Sequence, residues 1–172
     1  MRMQRYLAFA ATAPVLLLSF ALTGLLLAWV FPSLPLGGPL LDTLPGYSPS
    51  QARELLVQYG VDGRRLYAVA SPTLDTLLPI CYVTFFAGAV HRCGLPERVG
   101  WLAVLPVLVG VWDLLENLQI SLLLLGYPDV SDRQIQWASF FTWVKGSVLI
   151  PAVSLLLVLA VLYRVQAYLR SR

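Results

Sequence analysis

Four stretches of this 172-residue chain are long and apolar enough to cross a bilayer, and that limits the fold more than any other feature. A helix needs about 20 predominantly apolar residues to span the hydrocarbon core. Lipid offers the backbone no hydrogen-bond partners, so a spanning segment must be helical or close into a barrel. The stretches cover about residues 6–31, 62–92, 99–126 and 135–163. They predict an all-α chain: a four-transmembrane-helix bundle forming a single integral membrane domain over residues 1–172. A secretory leader is the competing reading of the first stretch, because Met1-Arg2-Met3-Gln4-Arg5 is a basic start. A leader's apolar core spans only about 7–15 residues, and this one is far longer. It reads as a retained helix. Pro72 and Pro79 fall inside the second stretch and predict a kink there.

Composition agrees. The chain is 58% hydrophobic and 12% charged, against roughly a quarter charged in soluble domains, so lipid has to cover the excess apolar surface. The net charge of +3 is spread along the chain with no basic run, which argues against nucleic acid as a partner. Cys81 and Cys93 are twelve positions apart and form no C-x-x-C pair, so thiol–disulfide exchange is not indicated. With His91 the single histidine, bis-histidine haem ligation and zinc-type spacing are both missing. No metal and no cofactor is expected.

Orientation follows from the basic residues. Arg2, Arg5, Arg92, Arg98, Arg164, Arg170 and Arg172 fall on one side. Arg53, Arg64, Arg65 and Arg133 fall on the other, mixed with Asp42, Glu54, Asp62, Asp129 and Asp132. Both termini are therefore expected in the cytoplasm, in a multi-pass protein of the plasma (inner) membrane. The first outer loop, residues 32–61, contains a helix signature. Ser48 is its N-cap, Pro49 its first residue, and Gln51 completes a capping box. Ala52, Leu55, Leu56 and Tyr59 then recur at helical spacing, which predicts a short amphipathic helix over about 49–59, packed on the bundle.

Four charged residues, Asp75, Asp113, Glu116 and Lys145, fall at mid-membrane positions of the apolar stretches, with Asn117 beside them. Each such charge costs about 2.5–3.5 kcal/mol on insertion scales, and these residues usually mark interior or functional positions. At about 1.5 Å rise per residue, Asp75, Glu116 and Lys145 are all roughly 14–15 Å below the outer helix ends. Asp113, Glu116 and Asn117 stand at i, i+3 and i+4, on one face of the third helix. Arg64, Ser71, Asp75 and Tyr82 make a stripe on the second, and Ala138, Thr142, Lys145 and Leu149 one on the fourth. Thr12, Ser19 and Thr23 make a weaker stripe on the first. Three carboxyls face one ammonium at that depth, and Glu116 is the expected partner of Lys145. Trp29, Trp101, Trp112, Trp137 and Trp143 read as interface anchors or lipid-facing packing.

Several local patterns extend this reading: Leu41-Asp42-Thr43-Leu44-Pro45-Gly46-Tyr47, Gly63-Arg64 with Tyr67, and Pro72 with Asp75 and Pro79. Asp113-Leu114-Leu115-Glu116-Asn117, Tyr127-Pro128 and Thr142-Trp143-Val144-Lys145 follow in the same order. Over about residues 40–150 the chain resembles a family of small bacterial four-helix integral membrane proteins to which no activity is attached. The resemblance implies the four-helix architecture and no substrate or cofactor.

The expected function is an intramembrane polar pocket that binds or moves a small amphiphile or a proton, with Asp75, Asp113, Glu116, Asn117 and Lys145 as its residues. Besides the lipid bilayer, that small amphiphilic ligand is the expected partner. One alternative is a structural or assembly protein whose ion pairs fix helix packing. Another is a membrane enzyme on a lipophilic substrate with Glu116 or Asp113 as acid–base group and Lys145 as electrostatic stabiliser. Nothing in the sequence points to a nucleophile.

Overall fold

A computed structural model describes residues 2–171. The chain is all-α, with no strand among the described residues. Four helical stretches are long and apolar enough to cross a membrane: Ala13–Ser33, Gly60–Arg92, Gly100–Gly126 and Asp132–Arg170. We number these spans one to four. An even number of crossings puts residues 2–10, the 93–99 turn and the C-terminal helix at one end. The long loop of residues 34–59 and the 127–131 turn lie at the other.

Prolines decide where the spans bend. The first begins with α1 (Arg2–Ala10), breaks at Ala11–Thr12, and resumes as α2 (Ala13–Leu25). The sequence predicts one unbroken helix from residue 6, but Pro14 supplies no backbone N–H to continue it. The break is clamped from span two. A Cβ on Gly88 would collide with the Ala10 carbonyl, so only glycine permits this approach. Arg92 then donates to the freed Ala11 carbonyl at 2.9 Å. Beyond Leu25 the helix widens into a π turn over Leu26–Val30 and tightens over Phe31–Ser33.

The long loop holds α3 (Pro49–Gln58), started by the capping box that Ser48 and Gln51 form. Its inner face, Ala52, Leu56 and Tyr59, is buried against Leu41, Ile120, Leu123 and Ile135. The apolar stripe thus packs on protein, as its spacing predicts. Gly60, at φ +65°, turns the chain directly from α3 into α4 (Gly60–Ala70), so little separates the loop helix from span two.

Span two breaks at Ser71–Thr73 around Pro72 and continues as α5 (Leu74–Arg92). Span three opens with a tight turn over Gly100–Val104 and runs on as α6 (Leu105–Gly126). Span four comprises α7 (Asp132–Val144), a π turn over Lys145–Leu149 and α8 (Ile150–Arg170). It starts three residues earlier than the apolar run because Ser131 caps it by accepting from the Gln134 N–H. It also ends seven residues later, since the exposed 164–170 segment stays helical after its apolar character stops. Both π turns come immediately before a proline, Pro32 and Pro151, apart from one intervening residue. The proline ring crowds the carbonyl four residues back, and the turn relieves that by bonding i to i−5. At the terminal end, Leu7, Ala87, Val90, Cys93, Ala103 and Ala160 form a second core.

Trp29, Trp101, Trp137 and Trp143 are about half exposed or more, as lipid-facing residues would be, whereas Trp112 turns inward and donates to the Phe141 carbonyl at 3.0 Å.

Candidate functional site

Asp75, Asp113, Glu116, Asn117 and Lys145 are all buried, each no more than 8% exposed. Spans two, three and four bring them together as the helical faces predict. Lys145 stands at the start of the π turn in span four, and its ammonium touches two acids. It lies 2.6 Å from Glu116 Oε2 and 2.9 Å from Asp113 Oδ1. The sequence favours Glu116 alone as its partner; in the fold the ammonium is shared, because three residues along one helix put both carboxyls within its reach. Tyr82, from α5, donates to the second oxygen of Asp113 at 3.0 Å. Asp113 is therefore held on both oxygens.

Asn117 performs a different task. Its side-chain amide donates to the backbone carbonyl of Asp75 at 2.8 Å. In an unbroken helix that carbonyl would accept from residue 79, which is a proline without an N–H. Asn117 replaces the missing donor. In the reverse direction Ser71, at the break in span two, donates to the Asn117 carbonyl at 3.1 Å. The two contacts staple the broken part of span two to span three.

Asp75 is the exception in this network. Both of its carboxyl oxygens are buried with no hydrogen-bond partner among the described residues, and Glu116 Oε1 is also unpartnered. A buried, unpartnered carboxyl is an expensive feature and calls for an explanation. Asp42, Asp113, Lys145 and Glu116 are the charged groups within electrostatic reach of Asp75, and three of the four are acidic.

The long loop adds residues that composition and periodicity do not single out. Tyr67 on α4 donates to Asp42 Oδ1 at 2.7 Å and receives the Leu41 N–H at 3.1 Å. Tyr47 is buried, and its backbone N–H bonds the Ser139 hydroxyl at 2.8 Å. The Thr142 hydroxyl faces both the Tyr47 phenol and the Glu116 carboxyl. Burial pushes the Tyr47 phenol well above the ordinary phenol range, Thr142 opposes the push, and Glu116 and Asp42 add to it. Tyr47 is a neutral hydroxyl at the loop side of the cluster. In the sequence the 41–47 segment stands out only as part of the family resemblance, which assigns no role to Asp42 or Tyr47.

Two expected contributors do not reach the site. Arg64 bonds the Leu56 carbonyl at 2.6 Å and stacks over Tyr127, with 4.5 Å from guanidinium to ring centre. Ser19 and Thr23 of span one bond carbonyls of their own helix, and Thr12, in the break, bonds the Phe9 carbonyl of α1. A hydroxyl in an apolar helix has that local acceptor always at hand, so a stripe of Ser and Thr need not face a polar interior. Cys81 and Cys93 are buried free thiols. Among the described residues no group of three or more His, Cys, Asp or Glu side chains is gathered as metal ligands. Comparisons with protein-family models, with curated proteins and with solved structures each found no match for the chain.

Proposed function

We propose that this multi-pass protein lies in a plasma (inner) membrane with both ends cytoplasmic, and that its acid cluster binds or moves a proton or the polar head of a small amphiphile. The observation that carries this reading is Asp75, with both carboxyl oxygens buried and free of partners beside a fully engaged Asp113–Lys145 pair. Three carboxyls around one ammonium leave negative charge in excess when all are ionised. A proton or a cationic group at Asp75 would balance it. Asp113 and Lys145 hold the permanent charge, Glu116 shares the ammonium, and Asn117 fixes the backbone of Asp75. The likeness to small bacterial four-helix membrane proteins fits the architecture and adds no ligand.

Infrared difference spectroscopy on the purified chain tests this. A carboxyl C=O band should change with pH or on adding an amphiphile, and Asp75→Asn should remove it. A band that stays unchanged in the variant would remove Asp75 from the reading.

A second reading rests on the closed arrangement in which Lys145 bridges Asp113 and Glu116. In it the cluster only fixes how spans three and four pack, and the chain is a structural or assembly protein. A cell carrying a stable Glu116→Gln, Lys145→Met double variant separates the two. A deletion phenotype supports the binding reading, and a normal phenotype the structural one.

A further inference from the structure

A cavity of about 340 Å³ lies between the end of span one and the long loop. Its size is at the lower end of the roughly 300–1,000 Å³ typical of small-molecule sites. Leu27, Phe31, Leu34, Leu36 and Leu78 supply apolar walls, and Asp42 is the one ionisable residue in the lining. Leu27 is 54% exposed and belongs to the apolar part of span one, so the cavity opens beside the surface that meets lipid. The 34–43 segment closes it on the loop side.

Asp42 has one oxygen to spare. Oδ1 takes the Tyr67 hydroxyl at 2.7 Å, and no donor among the described residues reaches Oδ2. The neighbouring hydroxyl, Thr43, is turned to the Leu40 carbonyl at 2.7 Å. The electrostatic surroundings repel anions. Asp75 and Glu116 are within electrostatic reach of Asp42, and the cation on that side, Lys145, is already bound to two carboxyls. Arg64 is committed to Leu56 and Tyr127. A divalent metal ion needs several oxygen ligands, which one carboxylate among leucines does not provide.

From these features we propose that the cavity binds a single-chain amphiphile with a protonated amine head, the ammonium on Asp42 Oδ2 and the chain along Leu27, Phe31 and Leu78. The head gains a charge-assisted bond to an unshared carboxylate oxygen at the interface. The chain leaves through the opening by Leu27 and continues into the bilayer. This cavity adjoins the loop side of the acid cluster, and its ligand is held by Asp42 and not by Asp75, so the proposal stands whether or not Asp75 takes up a proton.

The test uses the full-length chain in nanodiscs and a dodecylamine probe with a photoreactive diazirine in mid-chain. The matching fatty acid and alcohol are the controls. Mass spectrometry should place the amine label in residues 27–43 and at Leu78. Asp42→Asn should lower that labelling roughly tenfold, the loss expected when one charge-assisted bond is removed. Leu27→Trp, which narrows the opening at an exposed position, should lower it as well, and it keeps the test valid if Asp42→Asn fails to fold. Tyr67→Phe, which frees Oδ1, should retain the label. Equal labelling by amine, acid and alcohol, labelling spread over all lipid-facing helices, or no loss in either of the first two variants would overturn the proposal.

Discussion

Asn117 donates its side-chain amide to the backbone carbonyl of Asp75, the carbonyl that Pro79 leaves without its helical donor. A proline in one span and an amide in the next thus form a single unit. Prolines are tolerated in membrane helices when a neighbouring group satisfies the freed carbonyl, and here that group is identified.

The pair predicts a coupling. Asn117→Leu should cost about 0.6–2 kcal/mol, the range for hydrogen bonds between membrane helices. In a Pro79→Ala background the same change should cost clearly less, because residue 79 then supplies an N–H to the Asp75 carbonyl. Unfolding in detergent measures both. Equal costs in the two backgrounds would mean that the amide serves no carbonyl.

Lys145→Met should destabilise strongly, because it strands both Asp113 and Glu116, and Glu116→Gln should destabilise as well. Stranding one member of a buried ion pair typically costs 3–5 kcal/mol. The double variant should lose less than the sum, since Glu116 then carries no stranded charge and only Asp113 is left without its ammonium. Asp113 also holds the ammonium at 2.9 Å, so Glu116→Gln should be the milder single change. Additive losses in denaturant titrations would rule out direct contact.

Gly88→Ala should lower the thermal midpoint, with a loss of about 1–3 kcal/mol typical of overpacking, because its Cβ would collide with the Ala10 carbonyl. Gly24→Ala is the control, with nothing within 4 Å of the added carbon. A loss of the same size at both positions would point to a general helix effect and away from the α1–α5 contact.

In the long loop, Leu56→Ser should speed hydrogen exchange across α3 while leaving membrane insertion intact, since Leu56 is fully buried in the loop-side core. Val57→Ser, at a position 63% exposed, should not. Similar exchange in the two variants would show that the helix is not held by its inner face.

A reporter fused after Arg172 should be active in the cytoplasm, and one inserted near Gly46 should be active outside. The reverse pattern would invert the proposed orientation and leave the fold unchanged.

Much of this architecture was legible in residue spacing. Asp113, Glu116 and Asn117 fall on one face by helical arithmetic, and depth counted from the helix ends brought Lys145 and Asp75 level with them. The capping box of Ser48 and Gln51 marked α3 to within a residue. What escaped the sequence lies where distant segments meet. Pro14 allows a break in span one, but the clamp that holds it at Ala11–Thr12 comes from Gly88 and Arg92 on span two, which no local pattern shows. Asp42 and Tyr47 enter the site from a loop, where no periodicity assigns a facing. The part played by Asn117 required knowing which carbonyl Pro79 leaves open and which helix lies beside it. Ser and Thr on span one misled for the opposite reason, since each finds its acceptor one turn away.

The π turn at Lys145–Leu149 has a mechanical consequence. It holds one residue more than an α-turn, which offsets the two halves of span four by about 100° relative to a continuous α-helix. The first half aims Ala138, Thr142 and Lys145 inward, and the second half aims Val153 and Ala160 inward. Span four is therefore two helical segments with different inward faces. Without the extra residue a continuous α-helix would turn one of these two faces out of the bundle, so the π turn is what lets a single span present Lys145 to its acids and Val153 to the core.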